Sequence, residues 1–227
     1  MDFLALQTAV FGELNEDSSN PTFWTLADVK DAINEGYEEM SEISEWYDST
    51  YTLSLSQGVR YYDLFAPTSS TSYPQILTVV KVYDATTRRW LFPISTKILD
   101  ADNPVWELAT GTPDHFMLRG AFRFGVFPLP TTSLDLTLYT KNIPQGTAVD
   151  APALVNDTDT PGFQEDFHPG IVAYAVYKLL CEDAEYARMA LPYYAEFAAQ
   201  TDLLRKWCDN RGAIPMTRVL GGGGLWT

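Results

Sequence analysis

A chain of 227 residues is long enough for one large domain or two small ones with a real core, and 46% hydrophobic with 20% charged residues is globular composition, not disorder. Asp+Glu 30 against Lys+Arg 15 leaves a formal net charge of −15, which excludes binding to a polyanion by phosphate neutralisation. No apolar run approaches membrane-spanning length, the start "MDFLALQTAVFGELNED" lacks the basic region of a secretory signal, and Cys181 and Cys208 form no CxxC pair, so free thiols in a reducing compartment are expected.

The first section, residues 1–49, reads as helical. "LALQTAVFGEL" fits a short helix, and "NEDSSNP" a loop, since Asn, Asp, Ser and Pro favour turns. In "TLADVKDAINEGYEEMSEISEWY" the apolar positions Leu26, Val29, Ile33, Tyr37, Met40, Ile43 and Tyr47 recur every three or four residues, the mark of one helix face running to about Tyr47. Thr25 is the expected N-cap, with Asp28 three residues on in a near capping-box pattern. The opposite face carries Asp31, Glu35, Glu38, Glu39, Glu42 and Glu45. This is either a solvated face or a wall facing a channel or a neighbouring subunit.

Between residues 50 and 142 the period changes to that of strands. "YTLSLSQGVRYYDL" alternates around a Gly and predicts a hairpin. "QILTVVKVYD" predicts a buried strand, and "RRWLFPI" follows a polar connection. "AFRFGVF" sets Phe122, Phe124 and Val126 on one side. "SLDLTLYTK" sets Leu134, Leu136 and Leu138 opposite Asp135 and Thr137. "ILDADNPVWEL" has room for one helical turn. Together these predict an antiparallel β unit, whose Asp100–Trp106 and Thr68–Tyr73 loops are expected to gain order from a neighbour. The six tryptophans, scattered over helix, strand and tail, are expected in the core or in interfaces.

Residues 143–211 open on a turn-rich connector, "NIPQGTAVDAPALVNDTDTPGF", and return to the helical period. In "DFHPGIVAYAVYKLL" the residues Ile171, Val172, Ala175, Val176, Leu179 and Leu180 make one broad apolar stripe. Pro169 sits where a missing N–H costs nothing, and Glu165 and Asp166 lie at the positive end of the helix dipole. His168 is therefore expected at or just before the N-cap, with a structural role. The rival reading is a small hydrolase using His115, beside Asp114, or His168 with its nearby carboxylates. It lacks a GxSxG elbow, a phosphate-binding loop and a zinc ligand set. Asp100 with Asp102, and Asp157 with Asp159, fit no calcium loop. A glycan-binding β module is the third class. No catalytic residue, metal or cofactor is assigned.

The stretch "FHPGIVAYAVYKLLCEDAEYARMALPYYAEFAAQTDLLRKW" is similar to the C-terminal helical region of tailed-phage head-to-tail adaptor proteins. The middle fits too: "RRWLFPIS", then "NPVWELATGTPDHFMLRGAFRFGVFPLP", with a Trp before Gly-x-Pro-x-x-Phe and a strand ending in Pro-x-Pro. The likeness covers roughly residues 24 to 208; the strong acidity and the "GGGGLWT" end depart from it. The resemblance implies a structural virion protein at the neck. It would form a ring of about twelve copies between the portal and a tail-side neck or nozzle protein, assembled in the host cytoplasm, with DNA passing through without specific binding. The expected fold class is α+β: helices from both chain ends pack together as a bundle, with an antiparallel β unit inserted between them in the chain and residues 212–227 as an extended arm. A tail rich in large apolar groups needs something to bury them. The resemblance implies that Ile214, Met216, Arg218, Val219, Leu220, Leu225 and Trp226 dock on the portal; the alternative is a segment folded back on its own subunit.

Overall fold

The computed structural model describes residues 1–64, 76–120, 123–144, 153–182 and 186–212. The fold is mixed α and β, in two compact units: Met1–Trp46 with Val149–Thr227, and Tyr47–Ala148.

The helical unit holds α1 (Phe3–Glu13), α2 (Leu26–Ser44), α4 (His168–Glu182) and α5 (Ala187–Gly212). Asp2 caps α1 by accepting the Ala5 N–H at 2.8 Å. Thr25 and Asp28 form the expected reciprocal box at the start of α2, closing two orphan amide groups. The helix ends at Ser44, short of Tyr47, because Glu45 adopts a left-handed backbone with φ 51° and turns the chain out. Val29, Ile33, Tyr37 and Met40 are buried, as their spacing predicts, while Leu26 and Ile43 at the margins of that stripe stay exposed. All six stripe residues of α4 are buried against α1, α2 and α5.

The chain before α4 is strapped down by backbone groups. Asn34 exchanges two hydrogen bonds with the Leu154 backbone, the Tyr37 hydroxyl accepts the Gly162 N–H at 3.0 Å, and Phe3 and Leu4 donate to the carbonyls of Asp159 and Asp157. Trp24 is buried in this core, and Trp46 and Trp207 pack against it.

The second unit contains β1 (Asp48–Leu55), β2 (Tyr61–Asp63), β3 (Ile76–Asp84), β4 (Arg89–Pro93), α3 (Thr96–Asp102), β5 (Thr110–Gly111), β6 (His115–Arg119), β7 (Arg123–Phe127), β8 (Leu129–Pro130) and β9 (Leu134–Asn142). Seven strands form one sheet in the order β1-β9-β3-β4-β6-β7-β2, and β5 pairs with β8 apart from it. Two expectations are corrected here. β4–β6 and β5–β8 are parallel, so the unit is mixed and not purely antiparallel: α3 and a 3₁₀ turn at Trp106–Leu108 carry the chain from β4 to β6, which a tight hairpin turn cannot do in parallel. The predicted hairpin over Tyr51–Leu64 does not form either. β1 pairs with β9 and β2 with β7, at the two ends of the strand order.

That connectivity dictates the sheet's shape. Laid flat at about 4.8 Å per strand, the outer strands of seven would stand roughly 29 Å apart. The six Cα steps from Leu55 to Tyr61 reach at most about 22 Å. The sheet must curl, and the Ser56–Arg60 link is stapled in place. The Tyr62 hydroxyl accepts the Ser56 N–H and donates to the Val59 carbonyl, while Gly58, at φ 74°, donates to the Pro130 carbonyl. Leu55, Val82, Leu91, Phe116, Phe124, Val126, Leu136 and Leu138 are buried inside the curl. α3 and the 3₁₀ turn bury Leu99 and Trp106 against Met117. Asp100 accepts the Trp106 indole N–H at 2.7 Å, which ties down the Asp100–Trp106 loop. Phe122 and Thr68–Tyr73 lie outside the described residues.

α2 and α4 approach closely at Gly36, where an added Cβ would meet the Tyr174 ring at 2.9 Å; Gly12 in α1 has open space around it. Gly36→Val should therefore overpack the seam, costing about 1–3 kcal/mol and lowering Tm by roughly 2–4 °C per kcal/mol. Gly12→Ala should raise stability by about 0.5–1 kcal/mol through helix propensity alone. Calorimetric melting of the two variants beside the parent checks both signs.

Candidate functional site: an acidic helical surface and two histidines

The two histidines differ in setting. His115 opens β6, half-exposed, with Nδ1 2.6 Å from the Asp114 carboxylate. Among the described residues no hydroxyl nucleophile joins this pair, and no group of three His, Cys, Asp or Glu residues could hold a metal. The other candidate carboxylates serve the fold. Asp100 holds Trp106, Asp157 pairs with Lys30 at 3.5 Å, and Asp159 accepts the amides of Val155 and Asn156.

His168 is the first residue of α4 and is 1% exposed. Its ring does not cap its own helix. Nε2 lies 3.1 Å from the Phe163 carbonyl and Nδ1 2.9 Å from the Met1 amino group, which also donates to Glu165 at 2.7 Å. A carbonyl can only accept, so Nε2 carries the proton and Nδ1 accepts from the ammonium: the ring is neutral. Burial, followed by the Met1 charge, holds its pKa below the ordinary imidazole value, against the pull of the Phe163 carbonyl and Glu165. Sequence spacing identified the helix start; nothing local shows that the ring bridges two distant backbone groups.

The acidic face of α2 is not uniform. Glu35 reaches α4, accepting from the Tyr174 hydroxyl and from Lys178 Nζ, each at 2.9 Å. Burial alone would raise its pKa; the Lys178 and Tyr174 hydrogen bonds outweigh burial and hold it low. Glu38 is half-buried, and its pKa is raised by that burial and then by Glu35. Glu39, Glu42 and Glu45 are exposed. Ile214, Met216, Arg218, Val219, Leu220, Leu225 and Trp226 lie outside the described residues.

The division into units reveals what composition hides. Between residues 47 and 148, eight Lys or Arg stand against eight Asp or Glu, so the sheet unit is formally neutral. The entire −15 belongs to the helical unit. Within that unit Lys30, Lys178 and Lys206 are already paired with Asp157, Glu35 and Asp202. Counting charge on either side of the change from helical to strand period would have exposed this partition in the sequence.

No helix among the described residues is long and apolar enough to cross a membrane. The family model described as SU10 adaptor protein matches residues 1–217. No curated protein matches the chain.

The His168 environment sets a pH signature. Its folded pKa lies below the unfolded value of about 6.5, so the unfolded chain takes up a proton that the buried ring refuses. Stability is then full above that value and falls as pH drops through it, with a slope of at most about 1.4 kcal/mol per pH unit. Between roughly pH 7 and 5.5, above the range where carboxylates titrate, His168→Gln should lower overall stability yet flatten this slope. Urea melts across that range check it.

Proposed function

From its membership of the SU10 adaptor protein family, a family of phage head-tail adaptors to which this chain belongs, we propose that the chain forms the ring that joins capsid to tail beneath the portal and lets DNA through. The family makes it a structural virion protein; copy number, portal contact and DNA passage are the proposal. The observation that carries it is the partition of charge, with −15 on the helical unit and none net on the sheet unit.

A conduit must keep a polyanion moving. Every Lys or Arg free to neutralise a phosphate releases counterions and adds grip. A wall of unpaired carboxylates does the reverse. Glu39 and Glu42 project from α2 without burial, Glu45 is exposed at its C-terminal cap, and Glu38 is half-exposed beside them. These four are the channel-facing groups, with Glu35 anchoring their helix to α4 through Lys178. The tail from residue 212 onward is the portal-docking arm. Its Leu225 and Trp226 are apolar anchors of the kind that dominate binding energy, and its Arg218 is suited to an acidic partner surface. A tail-side neck or nozzle protein completes the set of partners, and the ring is built in the host cytoplasm before it joins the virion.

Two measurements test this. Glu39→Lys/Glu42→Lys/Glu45→Lys should convert rings that do not retain DNA at low salt into rings that do, with the retention lost as salt rises. Indifference of DNA retention to all three reversals would remove α2 from the channel wall. Truncation after Asn210 should leave melting nearly unchanged and abolish co-sedimentation with portal rings. Undiminished binding by the truncated protein would sink the arm.

A further inference from the structure

The neutral sheet unit has an outer face that is not polar. Tyr83 and Trp90 are register partners on β3 and β4, with ring centroids 5.0 Å apart. Tyr139 on β9 lies 5.6 Å from Trp90 on its other side. Phe92 falls on the same face two residues beyond Trp90 and meets the His115 ring at 6.2 Å. Trp90 is 49% exposed and Phe92 64%. The alternation that buries Leu91 in the core turns these rings outward. A contiguous exposed aromatic patch of this kind marks an interaction surface. The rings are tilted by 46° to 55° and offer no coplanar platform for a sugar. A second apolar surface lies on the α3–3₁₀ segment: Val105 is 60% exposed and Leu108 78%, flanking the buried Trp106.

We infer that the aromatic face around Trp90 and Phe92 is the contact between copies of this chain, and that the neighbouring copy seats its Val105–Leu108 surface there. The inference rests on the ring reading. Charge selects the occupant. Two helical units brought together set −15 against −15, and the repulsion grows with every copy added. Two sheet units of zero net charge meet without that cost; exposed apolar side chains such as Leu191 and Met189 also stand on the helical unit, but there any contact between copies must work against the charge. Two different surfaces on one unit make a head-to-tail contact, the type that closes into a ring. The contact between copies then carries no net repulsive charge of its own.

The test uses full-length protein and sedimentation velocity. Wild type should self-associate more strongly as salt rises from low to moderate ionic strength, because screening removes helical repulsion while apolar contact persists. Trp90→Ser/Phe92→Ser and, separately, Val105→Asp/Leu108→Asp should each weaken assembly by at least about tenfold, as loss of anchor residues does. Mixed in equal amounts, the two should form heterodimers and stop there, since one intact face meets one intact knob. Phe92→Lys alone, at the most exposed ring, repeats the test with minimal risk to folding. Rings from all variants at wild-type strength would overturn this contact and leave the ring reading standing. A wild type that never associates, alone or on portal rings, would overturn the ring reading itself.

Discussion

The helical unit exists only because two distant parts of the chain return to each other. α2 and α4 are separated by the whole sheet unit, so their meeting must offset the entropy of closing that long connection. The seam does so in three ways. Ile33, Tyr37 and Met40 are fully buried beside Ile171, Ala175 and Val176. Gly36 permits the backbone of α2 to approach the Tyr174 ring. Glu35 then accepts from both Tyr174 and Lys178 at the rim of that contact. The strap of residues 153–167 adds backbone hydrogen bonds to α1 and α2, and His168 fixes its end by bridging the Phe163 carbonyl and the chain start.

On this frame the chemistry divides by unit. The helical unit concentrates negative charge on a surface whose interior is held by apolar packing. The sheet unit carries balanced charge and turns Trp90 and Phe92 outward while Phe116, Phe124 and Trp106 fill its interior. Among the described residues Asp114 and His115 pair with each other, and His168 is neutral and enclosed. On the proposed reading the function lies in surfaces and in the sign of their charge.

Much of this was legible in sequence where the cause is local. The Thr25–Asp28 box needs only residues three apart, and the four-residue rhythm of Val29, Ile33, Tyr37 and Met40 names the buried face of α2. Strand β3 follows from its β-branched run, and β7 and β9 from alternation. Pairing does not, because it is decided at long range: β1 finds β9 some eighty residues on instead of its neighbour β2. The acidic strip was visible, but the tie from Glu35 to Lys178 spans 143 residues and has no sequence signature. Alternation groups Trp90 with Phe92, yet only the assembled sheet shows that the core lies on the side of Leu91.

The curled sheet bears on a hazard of crowding. A particle that gathers many copies of one chain at one place raises their local concentration, and an open strand edge would then recruit further strands without limit. Here residues 56–60 draw the end of β1 toward the start of β2, and β2 spans only three residues, a short edge of the kind that offers little template. Growth by strand addition at the β2 end is thereby discouraged. Side-chain surfaces differ from strand edges in fixing an angle between neighbours, and whether that rotation closes decides between a ring and an open filament.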